Sequence, residues 1–306
     1  MTPPGDKSES SMDPEYPFDS KYLDLEGLRY HFVDEGDGEP LLMVHGNPTW
    51  SFMYRNLIKD LSPDYRTIAP DHIGCGRSDK PADDEYEYTL ESRVRDLDRL
   101  VEHLGLARLT LVVHDWGGMI GTTWAVRNPD RVARMIVFNT SAFHLPPAKK
   151  MPFSLSLART PVLGPILIRG LSAFSRGANR YNVVRGPMSR SVARGFHAPY
   201  DSWSNRRAVL RFIQDIPLKP VDRAWDLVSD TQDKLHLLRD VPMMFCWGMQ
   251  DFVFDHHFLE EWIRHFPRAE VHRFVDAGHY VLEDAGQEIY PLVRTFLSTN
   301  RVPVEA

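Results

Sequence analysis

Short apolar runs alternate with amphipathic helical segments along most of this chain. The runs lie at 40–44, 66–70, 109–113, 135–138, 243–247 and 270–274, and residues 28–33 alternate like a strand. Apolar residues recur at helical spacing over 89–104 and over 285–298, which follows the last run, and 118–127 has the pattern of a helix of small residues. A strand that is buried on both faces has a near-continuous apolar sequence, and strands that alternate with helices form βαβ units. The sequence therefore predicts an α/β fold built on a mostly parallel sheet.

The helix predicted over 89–104 has recognisable ends. Its apolar residues fall on one helical face. Thr89 is a suitable N-cap, because its hydroxyl can accept a hydrogen bond from the first turn. Gly105 stands just past the end, where glycine commonly adopts the left-handed conformation that stops a helix.

The stretch from 141 to 225 interrupts this alternation. It contains nine prolines and an amphipathic segment at 205–214, but no clear buried strand. An insertion above the carboxyl ends of parallel strands covers the crevice in which α/β proteins bind ligands. We therefore expect a helical cap over 141–225 on a core formed by 18–140 and 226–306.

The first 17 residues are polar and rich in proline, and they lack the apolar segment of a secretory signal. We expect a disordered tail over 1–17 and a cytoplasmic protein. The two cysteines, Cys75 and Cys246, are far apart in the sequence, which suits a reducing compartment.

Charge and hydropathy argue against two classes of partner. The formal net charge is −6, whereas nucleic-acid binding depends on a basic surface. No apolar run reaches the roughly 18–20 residues that are needed to span a bilayer. We expect no nucleic-acid partner and no transmembrane segment.

The segment 111–118 (LVVHDWGG) carries the strongest local signal. A buried strand ends in a polar residue, Asp115, which is followed by two glycines and a helix. This order is that of a nucleophile elbow, with aspartate where serine usually stands. The alternative is that Asp115 only caps the helix, a role that aspartate often has.

Three further segments follow predicted strands: 45–50 (HGNPTW), 247–251 (WGMQD) and 277–279 (AGH). The hydrolase order of nucleophile, acid and base then corresponds to Asp115, Asp251 and His279. Asn47 and Trp116 are suitably placed to donate hydrogen bonds to a leaving anion. Their alternatives are an ordinary Asn-Pro turn for Asn47 and plain packing for Trp116.

An aspartate nucleophile favours attack on an sp³ carbon that bears a leaving group. Its carboxylate is ionised at neutral pH and needs no base to activate it. The product of the attack is an alkyl ester on Asp115. His279, oriented by Asp251, can then activate water against that ester.

Together with 71–81 (DHIGCGRSDKP), these motifs resemble those of haloalkane dehalogenases across nearly the whole predicted core. The resemblance implies an α/β-hydrolase fold, with a mostly parallel eight-stranded sheet, flanking helices and a helical cap. It implies roles for five residues: the nucleophile Asp115, the base His279, the acid Asp251, and the anion-binding pair Asn47 and Trp116. Some members carry the acid after an earlier strand, but that position holds Asn139 here, which favours Asp251.

Several segments, most of them in the predicted cap, resemble a narrower family, the β-lactone decarboxylases of bacterial long-chain olefin biosynthesis. They are 139–143 (NTSAF), 148–152 (AKKMP), 173–178 (AFSRGA), 211–217 (RFIQDIP) and 251–258 (DFVFDHHF). The resemblance implies conversion of a hydrophobic cis-3-alkyl-4-alkyloxetan-2-one to a cis-alkene and CO₂ without a cofactor. It also implies a complex with the other enzymes of that pathway.

Both families can use the same nucleophile. Attack of Asp115 at C4 of a β-lactone frees the ring oxygen as a carboxylate, and anti elimination of CO₂ then gives a cis-alkene. Water is not required, so His279 has no hydrolytic task in this reaction. Attack at the lactone carbonyl ranks lower, because hydrolysis of that product gives a β-hydroxy acid.

Other functions are less well supported by the residues. Haloalkane dehalogenase is the main alternative, and the products separate it from the decarboxylase. Asn47 disfavours an epoxide hydrolase, a family that usually has an aromatic residue before the loop proline. The presence of nucleophile, acid and base candidates disfavours a binding module that lacks catalysis.

Two further groups of residues have competing interpretations. Asp255, His256 and His257 could suggest a metal cluster, but adjacent helical residues do not face one another. We therefore expect a surface or capping role for them, and no metal. Several large side chains of the cap either line a tunnel for alkyl chains or form the core of the cap: Met151, Phe153, Leu155, Phe174, Phe196, Tyr200, Trp203 and Phe212.

Overall fold

The computed structural model describes residues 14–301, apart from the side chains of Ala173, Ser175, Arg176 and Asn179. Within them, an eight-stranded sheet has the order β1-β2-β4-β3-β5-β6-β7-β8. The strands are β1 (Lys21–Leu25), β2 (Leu28–Glu35), β3 (Pro40–Val44), β4 (Arg66–Pro70), β5 (Leu109–Asp115), β6 (Val132–Thr140), β7 (Met243–Gly248) and β8 (Glu270–Phe274). Strand β2 pairs antiparallel with β1 and β4, and the remaining pairs are parallel. The predicted mostly parallel α/β fold is confirmed.

Burial distinguishes the central strands, which have clear apolar runs, from the edge strand β1. Every residue of β5, β6 and β7 is buried, as expected for parallel strands that are covered on both faces. Strand β1 lies at the sheet edge, and most of its residues are exposed or half-buried. It therefore lacks an apolar run, and the sequence analysis missed it.

Helices of the core cover both faces of the sheet. They are α1 (Arg55–Leu61), α2 (Leu90–His103), α3 (Trp116–Arg127), α9 (Trp225–Lys234), α10 (His256–His265), α11 (Val281–Asp284) and α12 (Gly286–Thr299). The predicted ends of α2 are confirmed, since the Thr89 hydroxyl accepts from the Ser92 N–H at 3.2 Å and Gly105 has a φ of 61°. Within the described part of the chain, no helix is long and apolar enough to cross a membrane.

The chain between β6 and α9 contributes only helices to the described regular structure. They are α4 (Phe153–Ala158), α5 (Leu163–Pro165), a π-helical segment (Ile166–Gly170), α6 (Ala173–Tyr181), α7 (Arg190–His197) and α8 (Arg207–Gln214), with a short 3₁₀ turn at Ala198–Tyr200. We call residues 141–225 the cap. The exact boundaries between the cap and the core remain those predicted from the sequence.

The predicted disordered tail over 1–17 is wrong at its C-terminal end. Tyr16 is only 2% exposed, and its ring lies 4.8 Å from that of Trp50 and 5.9 Å from that of Phe52. Its hydroxyl makes a hydrogen bond with Ser51. An aromatic side chain with this much buried surface holds its segment against the core. Residues 1–13 of the predicted tail lie outside the described residues.

Candidate active site

Asp115 ends β5 and immediately precedes α3, in a sharply bent backbone. Its φ of 53° and ψ of −129° are uncommon for a residue with a side chain. The turn depends on Gly46 and Gly117, because a Cβ at Gly46 would overlap the Asp115 carboxylate and one at Gly117 would overlap the Val44 carbonyl. This strand–turn–helix geometry is that of a nucleophile elbow. The side chain of Asp115 makes no capping hydrogen bond to α3 of the kind that a plain N-cap would make.

Two backbone N–H groups hold the Asp115 carboxylate. Oδ1 accepts from the Asn47 N–H at 2.5 Å, and the Trp116 N–H also donates to the carboxylate. Burial raises the pKa of this carboxyl, whereas the charge of His279 and both N–H donors lower it, and the pKa remains above its ordinary value. The second oxygen, Oδ2, lies 3.5 Å from Nε2 of His279.

His279 lies on the loop between β8 and α11, with its side chain 3% exposed. Its Nδ1 lies 2.7 Å from Oδ2 of Asp251, and its Nε2 faces Asp115. The ring of Phe254 stacks over the imidazole at 5.8 Å. Burial lowers the pKa of His279, but the charge and hydrogen bond of Asp251 and the charge of Asp115 raise it above its ordinary value.

Asp251 follows β7, and four donors surround its carboxylate. Oδ1 accepts from the backbone N–H groups of Val253 at 2.7 Å and Phe254 at 3.1 Å. Oδ2 accepts from His279 and from Nδ2 of Asn139 at 3.0 Å. Asn139 therefore occupies the position of the alternative acid and donates to the acid that is present. Its side chain also exchanges hydrogen bonds with the backbone of Gly248, at 2.9 and 2.8 Å.

Asn47 and Trp116 both border the space above Asp115. Nδ2 of Asn47 donates to the Val209 carbonyl of α8 at 3.1 Å, which leaves one amide hydrogen for another acceptor. No described residue accepts a hydrogen bond from the indole N–H of Trp116, which lines the cavity. The structure thus brings together all five predicted site residues: Asp115, His279, Asp251, Asn47 and Trp116. Of these, Asp251 stays behind His279 and is not among the residues that line the cavity.

A cavity of about 370 Å³ lies between the sheet and the cap. Asp115, His279, Asn47 and Trp116 border it, and most of its other lining residues are apolar. A cavity of this composition suits a hydrophobic ligand that carries one small polar group.

The large cap side chains divide into three sets. Met151, Leu155 and Phe174 line the cavity, as the tunnel interpretation predicts. Phe196, Tyr200 and Phe212 are buried outside it, as the interpretation of a cap core predicts. Phe153 and Trp203 are 81% and 48% exposed, and neither interpretation fits them.

Asp255, His256 and His257 lie close together, with a ligand atom of each within 4.8 Å of the others. The predicted capping role is confirmed, since Asp255 is the N-cap of α10 and its Oδ1 accepts from the His257 N–H at 3.1 Å. The other oxygen of Asp255 pairs with the Lys149 ammonium at 2.8 Å. A lysine at this distance competes with any cation for that carboxylate.

Two contacts that support the site from the cap were not indicated by the sequence. Asn182 lines the cavity, and its backbone carbonyl accepts from the Tyr280 N–H at 2.9 Å, next to His279. Phe212 packs against Trp116 with a centroid separation of 5.4 Å. Both contacts join residues that are distant in the chain, so no local pattern indicates them.

The arrangement of these side chains can carry out nucleophilic substitution at carbon without a base that activates the nucleophile. A buried carboxylate is fixed by two N–H groups, with an imidazole on one side and two side-chain donors nearby. Such a group can attack an sp³ carbon while the donors stabilise the departing anion.

Comparison with known proteins identifies the same fold. A family model described as the alpha/beta hydrolase fold matches residues 39–286. The solved structure of a haloalkane dehalogenase from Agrobacterium tumefaciens superposes with a TM-score of 0.82 and 26% identity, over 92% of this chain and 97% of that one.

Two curated proteins are more similar in sequence, and both are named cis-3-alkyl-4-alkyloxetan-2-one decarboxylase. The protein from Shewanella oneidensis is 50% identical over 283 residues, which cover 92% of this chain and 89% of that protein. The protein from Xanthomonas campestris pv. campestris is 48% identical over 296 residues, which cover 94% and 98%.

Proposed function

The chain belongs to the cis-3-alkyl-4-alkyloxetan-2-one decarboxylases within the α/β-hydrolase fold, and from this premise we propose that it converts cis-3,4-dialkyl β-lactones to cis-alkenes and CO₂. The observation that carries the proposal is the Asp115 carboxylate, fixed by two N–H groups at the base of an apolar cavity. The apolar lining suits the alkyl chains, and the polar base suits the lactone ring.

The first proposed step is attack of an Asp115 oxygen on C4 of the lactone. The new C–O bond forms as the bond between C4 and the ring oxygen breaks, and C4 is inverted. The ring oxygen leaves as a carboxylate, and ring strain favours this opening. The negative charge has then moved from Asp115 to the substrate.

The second proposed step is anti elimination. The bond between C3 and the carboxylate carbon breaks, CO₂ departs, and the electron pair forms the C3–C4 double bond. The bond from C4 to Asp115 breaks, and the aspartate carboxylate is restored. Inversion followed by anti elimination converts a cis-lactone to a cis-alkene, with no proton or water consumed.

His279 has an electrostatic role in this two-step reaction. No ester is hydrolysed, so a base has no proton to remove. In the elimination Asp115 is the leaving group, and an imidazolium 3.5 Å from its carboxylate stabilises the returning charge. Asp251, at 2.7 Å, favours the protonated form of His279.

Asn47 and Trp116 stabilise the carboxylate that the opened ring releases. The free amide hydrogen of Asn47 and the indole N–H of Trp116 border the cavity near Asp115. Because the lactone is neutral and the opened product is an anion, these donors act mainly after the ring begins to open.

Haloalkane hydrolysis is the second candidate function, because the haloalkane dehalogenase from A. tumefaciens shares the fold and the sequence carries that family's motifs. In that reaction His279 would activate water against the alkyl ester of Asp115. The greater identity to the two decarboxylases favours the lactone reaction.

We further propose that the protein acts in long-chain olefin biosynthesis, in the cytoplasm and in a complex with the enzymes that supply the lactone. A very hydrophobic substrate favours direct transfer between neighbouring enzymes over release into water. Co-purification with those enzymes tests this part separately.

Gas chromatography of the products tests the main proposal. Purified protein is incubated separately with a cis-3,4-dialkyl β-lactone and with a bromoalkane of similar length. Heat-inactivated protein is the control, because β-lactones lose CO₂ thermally. We expect enzyme-dependent cis-alkene from the lactone and little alcohol from the bromide. Alcohol and bromide ion from the bromoalkane, with the lactone untouched, would instead establish a dehalogenase.

A further inference from the structure

Arg93 of α2 is a fully buried cation whose environment the proposed reaction leaves unexplained. Its exposure is 0%, and none of its three guanidinium nitrogens has a hydrogen-bond partner among the described residues. Burying a charge without hydrogen bonds is costly, so the contacts that Arg93 does make need a function.

Both contacts of Arg93 that matter here reach the cap. Its guanidinium carbon lies 3.6 Å from the centre of the Phe212 ring on α8. Its Nη1 lies 3.7 Å from Oδ2 of Asp215, the residue that follows α8. The same oxygen accepts from the Leu90 N–H at 2.7 Å, so the end of α8 is attached to the first turn of α2.

Helix α8 in turn contacts both members of the anion-binding pair. Phe212 packs against Trp116 at 5.4 Å, and the Val209 carbonyl accepts from the Asn47 amide at 3.1 Å. Phe212 is fully buried and is not among the residues that line the cavity, whereas Trp116 lines it. Arg93 therefore reaches the site through Phe212 and does not touch the substrate.

We propose that Arg93 is a positioning residue of the anion site, which acts through Phe212 to fix the Trp116 indole. A guanidinium stacked on an aromatic face restrains the orientation of that ring. A fixed Phe212 restrains the indole packed against it, and so aims the indole N–H at the released carboxylate. The inference rests on the proposed function, because it assumes that the reaction generates an anion at this place.

Binding and turnover should respond differently to loss of Arg93. The neutral lactone is held by the apolar cavity, whereas the anion exists only after the ring begins to open. An interaction made with the transition state alone changes kcat and leaves KM nearly unchanged. A displaced cap, by contrast, would disturb the cavity and raise KM.

The main test variant is the double substitution Arg93→Met with Asp215→Asn. Removing both charges leaves no uncompensated buried ion, and the amide oxygen that replaces the Asp215 carboxylate can still accept from the Leu90 N–H. The control is Arg211→Gln on the same helix. Arg211 pairs with Asp83 at 2.8 Å and so attaches α8 to the core. Its side chain is 37% exposed and takes no part in the contacts that run from Arg93 through Phe212 to Trp116.

Two measurements are made on each variant, after thermal unfolding has shown which variants fold. The first is kcat and KM for the β-lactone. The second is the affinity for bromide, from its saturable quenching of tryptophan fluorescence, with Trp116→Phe as the baseline. In the double variant we expect kcat to fall and the bromide Kd to rise by about tenfold or more, with KM within about twofold. Arg211→Gln should match the wild type.

Wild-type kcat and bromide affinity in the folded double variant would overturn the proposal. Equal losses in Arg211→Gln would also overturn it, since they would show that anchoring of α8 is sufficient. If the double variant does not fold, Phe212→Leu decides, because wild-type behaviour there is incompatible with action through Phe212. A wild-type protein that makes no alkene refutes the proposed function alone, and bromide binding still tests Arg93.

Discussion

Nε2 of His279 lies 3.5 Å from Oδ2 of Asp115, and both side chains are at least nine-tenths buried. The negative charges of Asp251 and Asp115 raise the pKa of His279 against the opposing effect of burial. Burial also raises the pKa of Asp115, although His279 and two N–H donors oppose it. The raised pKa of His279 favours its protonated form beside Asp115, as the proposed electrostatic role requires.

The pH dependence of alkene formation should report this pair. Under the proposed mechanism the rate requires protonated His279, so it falls as pH rises through the raised pKa of His279, above its ordinary value of about 6.5. The rate is also lost in acid, as pH falls through the raised pKa of Asp115. Gas chromatography of alkene over a pH series that extends from acid to alkaline conditions measures both limbs. A rate that instead rises with the deprotonation of His279 would point to general-base chemistry.

Asp115→Asn should lower the rate of lactone turnover at least about a thousandfold, because an amide is a poor nucleophile. The amide oxygen can still accept from the Asn47 N–H, so the fold should persist. Turnover of the lactone and thermal unfolding are measured together. Activity near that of the wild type would refute the assignment of Asp115 as the nucleophile.

Gly46→Ala tests the space that the nucleophile needs. A Cβ at Gly46 would overlap the Asp115 carboxylate, so the carboxylate must shift or the loop must move. A displacement of about 1 Å at a reacting group can cost about a hundredfold in rate, and we expect a loss of that order in kcat. Gly186→Ala is the control, since a Cβ there meets nothing within 4 Å. Equal activity in the two variants would contradict this account of the elbow.

Ala178→Phe should shorten the alkyl chains that the enzyme accepts. Ala178 lines the cavity from α6 and is 7% exposed, so a larger side chain there must occupy space in the cavity. We expect kcat/KM to fall at least about tenfold for a long-chain lactone and much less for a short-chain one. The two substrates serve as each other's control in the same variant, and a uniform loss would indicate general damage.

The positions of the proposed catalytic residues were predictable because each lies at or shortly after the carboxyl end of a strand. Asp115 ends β5, Asp251 and His279 lie a few residues after β7 and β8, and parallel strands bring their carboxyl ends to one edge of the sheet. The chain order of the three then assigns their roles. Local sequence was sufficient for this part of the site.

The contacts that orient those residues were not predictable in the same way. Phe212 meets Trp116 and Arg93 only because α8 folds back over the ends of β5 and α2. Tyr16 was assigned to a disordered tail because its neighbours in the sequence are polar. In the structure its ring packs against Trp50 and Phe52 of the core. Such packing depends on tertiary proximity, which a pattern of apolar spacing does not encode.

Asn139→Leu should destabilise the fold and slow the reaction, although Asn139 does not border the cavity. The Asn139 side chain makes two hydrogen bonds with the Gly248 backbone and donates another to Asp251. An apolar side chain of similar size makes none of these hydrogen bonds. The Gly248 carbonyl keeps the Asp251 N–H, and the Asp251 carboxylate keeps its other donors, so the Gly248 N–H is the group left without a partner. A buried polar group that loses its partner costs about 1–3 kcal/mol, and we expect the free energy of unfolding to drop by about that much. Asp251 then holds His279 less firmly, and kcat should fall about tenfold.

Urea denaturation and lactone turnover measure the two effects of Asn139→Leu separately. Asn128→Leu is the matched control, because the Asn128 side chain makes a single bond, to the Trp124 carbonyl at 3.0 Å, at the end of α3. That bond is partly exposed, so its loss should cost no more than about 1 kcal/mol and leave kcat unchanged. If Asn139→Leu were as stable and as active as Asn128→Leu, then the hydrogen bonds of Asp251 to Val253, Phe254 and His279 would be sufficient to orient the imidazole without Asn139.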